Sequence, residues 1–237
     1  MGVVHAARIQ RPDLFENLDE IAIPQLPRLG TTIIDGQRIE TVLHFMSPAV
    51  ALCEDVLTAD ECAALIAYAQ DRGLAPSSVI DDETGTPVPH PERTSYGALL
   101  GRAETSFIAQ IEARLAALTE WPTDNGEGLQ ILSYRPGQEY RAHYDAFPDG
   151  AGGDLHKREA GQRVNTVIVY LQAADDGGGT SFPGSGLTLR PRIGSAIIFR
   201  NVDSHGRRDP ASLHAGEPVI AGEKIVLTYW QRQHAFT

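Results

Sequence analysis

Two hydrophobic rhythms divide the chain. Between about residues 58 and 118, apolar side chains recur three and four positions apart, whereas from Gly128 onward they come in short alternating or continuous runs cut by Gly and Pro. In the first stretch Thr58-Ala-Asp-Glu61 has the form of a capping box, in which the Thr hydroxyl accepts from the amide three residues on and the Glu reaches back. It opens a predicted helix through Cys62, Leu65, Ile66 and Ala69 that ends before Gly73. Beyond a polar segment holding Gly85, Pro87, Pro89 and Pro91, a second helix is expected with Phe107, Ile108, Ile111, Leu115 and Leu118 on one stripe.

In the second stretch the runs are Leu129 to Tyr134, Val164 to Leu171, Leu187 to Leu189, Ser195 to Phe199 and Lys224 to Trp230. Many short strands with turn signals indicate a sandwich or barrel, and a jelly roll fits their number. Upstream, Thr31 to Ile34 and Arg38 to Leu43 flank Asp35-Gly36, a pattern that predicts a hairpin. The expected fold class is α+β, mainly β, with the helices supporting a sheet. There is no internal repeat or low-complexity tract.

The 237 residues suffice for one domain with a substantial core. With 31 acidic against 20 basic side chains the formal charge is -11, which argues against a nucleic-acid partner and against adhesion to an anionic membrane. Two cysteines, Cys53 and Cys62, make neither a disulfide framework nor a zinc spacing, and free thiols are expected, although the pair would also close a short loop. Arg8, Arg11 and Asp13 interrupt what a signal peptide keeps apolar, and no later run is long enough to span a bilayer, so the expected location is cytoplasmic. The sequence is silent on oligomeric state.

Candidate chemistry centres on His143-Tyr144-Asp145. In an extended strand, residues two apart point to one side, so His143 and Asp145 present an imidazole and a carboxylate to one point. Two histidines and a carboxylate on one face of an octahedral iron leave three positions open for substrate and oxygen chemistry. His214, in Ser212-Leu-His214-Ala-Gly216, is the candidate third ligand. The tripeptide alone also suits a polar strand or turn, and histidines 5, 44, 90, 156, 205 and 234 read as ordinary surface or core residues. Farther on, Lys224, Val226, Thr228 and Trp230 share one face of a strand and Ile225, Leu227 and Tyr229 the other. A lysine in so apolar a strand either reaches solvent along its stem or pairs with a buried anion.

These residues fall within a longer set: Glu127-Gly-Leu-Gln130, Tyr134-x-Pro-Gly-x-x-Tyr140-x-x-His143-x-Asp145, Gly161-Gln-Arg163-x-x-Thr166 leading to Tyr170-Leu171, Gly177-Gly-Gly-Thr180-x-Phe182-Pro183, Pro191-x-x-Gly194 leading to Phe199, and Leu213-His214-Ala-Gly-x-Pro218-Val-x-x-Gly222-x-Lys224. In this order they resemble the prolyl 4-hydroxylase branch of the iron(II) and 2-oxoglutarate dependent dioxygenases. Thr58-Ala-Asp-Glu61-Cys62 and Arg93-Thr-Ser95 resemble its N-terminal half, so the likeness runs from about residue 47 to the end.

The resemblance implies a double-stranded β-helix (cupin-like jelly roll) in a dioxygenase domain over 46-237, with 1-45 as an N-terminal extension whose hairpin packs on the core. It implies iron(II) held by His143, Asp145 and His214, with 2-oxoglutarate and dioxygen as cosubstrates and ascorbate as reductant. Lys224 matches the partner of the distal carboxylate of 2-oxoglutarate, Tyr134 and Thr180 match residues that add hydrogen bonds to it, and Arg163 and Trp230 match positions lining the substrate side. Hydroxylation of a prolyl residue in a peptide or protein is the implied reaction, releasing succinate and carbon dioxide. Retention of Asp145 favours hydroxylation over halogenation. Three departures stand out: Gly179 for a glutamate, Gln172 for an asparagine, and Arg232 where some members have a substrate-contacting histidine, which bears on substrate identity.

Two rival readings follow from the same residues: hydroxylation of a free amino acid or other small molecule, and a non-catalytic, metal- or ligand-binding cupin-like module. The segments Ala146 to Gln162 and Ile80 to Glu92 read as long irregular loops, either lids or plain surface loops. Because histidines bind metal only when neutral, activity is expected to fall below the mid-sixes in pH.

Overall fold

The computed structural model describes residues 20–80, 87–89 and 92–236. Most of the Ile80 to Glu92 segment, and residues 1–19 of the N-terminal extension, lie outside the described residues. In chain order the elements are β1 (Gly30–Ile34), β2 (Gln37–Met46), β3 (Ala49–Glu54), α1 (Ala59–Arg72), β4 (Ala75–Pro76), β5 (Ser78–Ile80), β6 (Pro87–Pro89), β7 (Tyr96–Leu100), α2 (Ser106–Leu118), β8 (Leu129–Tyr134) and β9 (Tyr140–His143). There follow α3 (Ala151–Ala160), β10 (Arg163–Gln172), β11 (Asp176–Gly177), β12 (Thr180–Phe182), β13 (Leu187–Leu189), β14 (Ala196–Arg200), β15 (His214–Gly216), β16 (Val219–Ala221) and β17 (Lys224–Arg232).

A nine-stranded antiparallel sheet in the order β1-β2-β3-β14-β10-β17-β8-β7-β4 faces a four-stranded one in the order β13-β12-β15-β9. This is the mainly β, double-stranded β-helix arrangement expected of the sequence. The hairpin at Asp35-Gly36 joins β1 to β2 and extends the large sheet through β3.

Strand alternation builds two cores. On the outer face Val167, Val169 and Leu171 of β10 and Ile225, Leu227 and Tyr229 of β17 meet Leu65 of α1 and Ile108, Ile111 and Leu115 of α2. On the inner face Ile168, Tyr170, Val226 and Phe199 meet Phe182 and Leu189 of the small sheet, with the Phe182 and Phe199 rings edge to face at 5.4 Å. Each fully buried side chain of this size contributes about 1.5–3 kcal/mol, so both cores depend on the register that keeps the two faces apart.

The helices sit where the sequence places them. The capping box of α1 is complete: the Glu61 amide donates to Thr58 Oγ1 at 3.1 Å and the Thr58 amide to Glu61 Oε2 at 2.9 Å. The same Glu61 carboxylate accepts from buried Arg114 of α2 at 2.7 Å, which ties the two helices together. No helix among the described residues is long and apolar enough to cross a membrane. Cys53 and Cys62 are both buried, unbonded thiols.

The segment Ala146 to Gln162 differs from expectation, for it contains α3 rather than an irregular loop. Its two ends are joined by Gln162, whose amide donates to Phe147 O (2.9 Å) and accepts from the Phe147 amide (2.7 Å). Arg232 caps its other loose groups, donating to His156 O at 2.6 Å and Gly161 O at 2.8 Å near the negative end of the helix. Gly153 is required because a Cβ there would run into the Pro148 carbonyl oxygen.

Candidate metal centre

His143 ends β9 and His214 begins β15, and the two are directly opposed in the ladder between those strands. Cross-strand neighbours lie about 5 Å apart, so the pairing of β9 with β15 is what converts two distant histidines into one site. Asp145 lies past the end of β9, in a bend rather than in the extended strand assumed from the sequence. Its carboxylate still turns to the same point: Oδ1 is 3.6 Å from His143 Nε2 and Oδ2 is 3.7 Å from His214 Nε2. Among the described residues these three side chains form a donor cluster with all ligand atoms within 4.8 Å of one another.

Each ring is aimed by its other nitrogen. His143 Nδ1 bonds Arg141 O at 2.8 Å and His214 Nδ1 bonds Ser212 O at 3.0 Å, which places the proton on Nδ1 and leaves both Nε2 lone pairs turned inward. Tyr140 stacks on His143 at 3.5 Å between centroids, and Phe199 backs His214 at 4.5 Å. Burial, reinforced by neighbouring His143, pushes the His214 imidazole down to about 4. Burial alone would raise Asp145, but the neighbouring His214 and His143 outweigh it and hold the carboxyl well below the usual range. The sequence-based expectation of protonation in the mid-sixes is therefore too high for His214, because it took no account of burial. Two imidazoles and one carboxylate, with Asp145 and His214 buried, fit a divalent first-row metal such as iron(II).

One strand away lies a pocket lined by Tyr134, Thr180, Lys224 and Trp230 together with the three donors. Lys224 and Tyr134 are opposed across β17 and β8, so register alone brings ammonium and phenol together. Lys224 is 3 % exposed, and its hydrogen bond runs to Gly179 O at 3.4 Å; among the described residues no carboxylate pairs with it. It does not snorkel to solvent. Burial lowers its ammonium to about 7, against the opposing pull of the Glu217 charge. Thr180 Oγ1 lies 2.8 Å from the Tyr170 hydroxyl, and Tyr134 is hydrogen-bonded to Ser95 and Arg93. A carboxylate entering here would meet one cation and two hydroxyls, which satisfies its lone pairs.

The two expected substrate-side residues are stacked on each other. Trp230 lines the pocket, while the Arg163 guanidinium lies behind it, 4.0 Å from the indole centroid and 4.8 Å from that of Phe147. Arg163 is also locked by two 2.7 Å bonds to Glu127, a residue to which the sequence assigns a motif but no role. Glu127 further accepts from Arg232 at 3.1 Å. Arg232 is thus buried in a structural triad and does not occupy the pocket that a substrate-contacting side chain would need.

Tyr170, Arg93 and Thr166, like Glu127, stand in the motifs read from the sequence but are given no role there. Tyr170 and Thr166 fall on the inward face of β10 by the same alternation that placed Lys224, and that was the available signal.

Comparison with known proteins gives a consistent result. Residues 129–232 match the 2OG-Fe(II) oxygenase superfamily. A probable prolyl 4-hydroxylase 10 of Arabidopsis thaliana is 33% identical over 93% of this chain and 81% of its own. Prolyl 4-hydroxylase 1 of the same plant is 37% identical over 80% and 70% respectively. Among solved structures, the viral collagen prolyl hydroxylase of Paramecium Bursaria Chlorella virus-1, determined as its 2OG complex, superposes with a TM-score of 0.61 at 28% identity, covering 77% of this chain and 94% of the viral one.

Proposed function

Since the chain belongs to the prolyl 4-hydroxylases of the 2OG-Fe(II) oxygenase superfamily, we propose that it hydroxylates an unactivated C–H bond of a prolyl residue in a peptide or protein. Iron(II), 2-oxoglutarate and dioxygen supply the oxidising power, one oxygen atom going to the C–H carbon and the other to succinate as carbon dioxide leaves. The observation that carries this reading is the adjacency of the His143-Asp145-His214 cluster and a buried lysine, Lys224, that has no ion-pair partner among the described residues, because a metal-binding module without turnover needs no second, anion-specific subsite.

In this proposal His143, Asp145 and His214 hold the iron. Lys224, Tyr134 and Thr180 hold the distal carboxylate of 2-oxoglutarate, with Tyr170 fixing the Thr180 hydroxyl. Trp230 offers an indole face to a proline ring, and Arg163, clamped by Glu127, keeps that indole from tilting. Leu132, Ile168 and Val226 make the floor apolar and keep water away from the reacting carbon. Ascorbate would serve as the reductant that returns the metal to iron(II). The free thiols of Cys53 and Cys62 support a reducing, cytoplasmic setting.

The test is succinate release with iron(II), ascorbate and 2-oxoglutarate, in the presence of proline-rich peptides or of free amino acids. Peptide-stimulated release together with one added oxygen on the peptide is the expected result. Stimulation by free amino acids alone would replace the substrate class, and the absence of any iron-dependent release would leave the non-catalytic module.

A further inference from the structure

Asp145 differs from the two histidines in how it is aimed. Each imidazole is oriented by a backbone carbonyl two residues before it, whereas Asp145 has left its strand and is oriented by a side chain of another. Thr166, on the inner face of β10, donates its hydroxyl to Asp145 Oδ2 at 2.7 Å. Behind it Asn201, just past β14, donates its amide nitrogen to Thr166 Oγ1 at 2.9 Å. Both residues are fully buried.

The direction of this relay is fixed by counting protons. A metal-binding carboxylate only accepts, so the single Thr166 proton must go to Asp145, and the threonine oxygen must then receive its own hydrogen bond from a donor. Asn201 supplies that donor only with its amide nitrogen forward. Turned the other way, its oxygen would compete with Asp145 for the same proton. The observed orientation leaves Asn201 Oδ1 buried and without a partner among the described residues. An unsatisfied buried oxygen opposes stability, so the pair is not explained as a stabilising device. Asn201 also serves the second strand, since its carbonyl accepts from the Asp209 amide at 3.0 Å and from Ser212 Oγ at 3.5 Å, holding the turn whose Ser212 carbonyl aims His214.

We propose that Thr166, directed by Asn201, is a positioning residue for the metal-binding carboxylate: it occupies one oxygen of Asp145, leaves the other to meet the cation, and so keeps the remaining coordination positions open. This rests on the metal-centre reading given above. Carboxylate partners beyond the ligands themselves typically change metal affinity by roughly 10- to 100-fold.

The experiment uses Co(II) as the probe, without 2-oxoglutarate, reading both affinity and the intensity of its visible absorption, which falls as the coordination number rises. Thr166→Val keeps the shape and removes the donor; it is expected to weaken Co(II) binding by roughly 10- to 100-fold and to lower the band intensity as Asp145 takes up two-oxygen binding. Thr166→Ser should restore both. Asn201→Ala frees the Thr166 hydroxyl to turn away and should shift both readouts in the same direction as Val, which decides the matter should the Val variant not fold. Wild-type affinity and spectrum in the folded Val or Ala variant would overturn the proposal, whereas a wild-type protein that binds no Co(II) would overturn the metal centre itself.

Discussion

Replacing Lys224 by Met tests the cosubstrate pocket through the stability of the empty protein. Met has about the same reach and no charge, so it fills the cavity between the Tyr134 and Tyr170 rings, which stand 5.4 and 5.0 Å from the ammonium. Burial lowers the Lys224 ammonium from 10.5 to about 7, which at about 1.4 kcal/mol per pH unit is at most about 5 kcal/mol of cost to the folded state. The sign follows from proton counting. Between about 7 and 10.5 the unfolded chain carries a proton that the folded chain lacks, so wild-type stability rises with pH across that window and the full penalty is present below it. Without metal or 2-oxoglutarate, Lys224→Met is therefore expected to be the more stable protein at pH 6.5. Its advantage should shrink by about 1.4 kcal/mol per pH unit above 7. Urea unfolding of both proteins between pH 6.5 and 9.5 measures this directly. With metal present, 2-oxoglutarate should reverse the order by stabilising only the wild type, and calorimetry at pH 8 in buffers of different ionisation enthalpy should show proton uptake on binding. A variant less stable than wild type at every pH, or a gap that does not change with pH, would refute the idea of a desolvated cation awaiting an anion.

Three further outcomes are expected. Glu127→Gln removes the counter-charge shared by Arg163 and Arg232 and should cost about 3–5 kcal/mol in urea unfolding, with a raised KM for peptide and little change for 2-oxoglutarate. Because the His214 imidazole is held down to about 4 against 6.5 when unfolded, the unfolded chain binds the extra proton in between; metal-free stability should fall as pH drops from 6.5 toward 4, and His214→Gln should flatten that limb. Arg232→Met releases the carbonyls of His156 and Gly161, so limited proteolysis should cut within residues 151–160 sooner than in wild type, and equal rates would remove Arg232 as the latch.

What could be read from the chain follows how local each determinant is. The capping box of α1 and the runs that became β8 and β13 are specified within a few residues, and their bounds were legible. Alternation along β17 correctly separated Lys224 and Trp230 from Leu227 and Tyr229. Helix α3 was not legible, because its first turn carries Gly152 and Gly153 and its order comes from Arg232, distant in sequence. The same distance hid the partners of Arg163 and Asp145. A periodic pattern gives the face a side chain occupies, but the hydrogen bond it makes there depends on a strand supplied much later in the chain.

Strand β17 lies inside the large sheet between β10 and β8, with the pocket on one face and the outer core on the other. Amides in such a strand exchange with solvent only when the whole domain opens. The face of the pocket that β17 provides, Lys224 and Trp230 included, is therefore tied to the global stability of the domain. Helix α3 is held instead by a few hydrogen bonds from Gln162 and Arg232, so breaking them opens it locally while β17 stays closed.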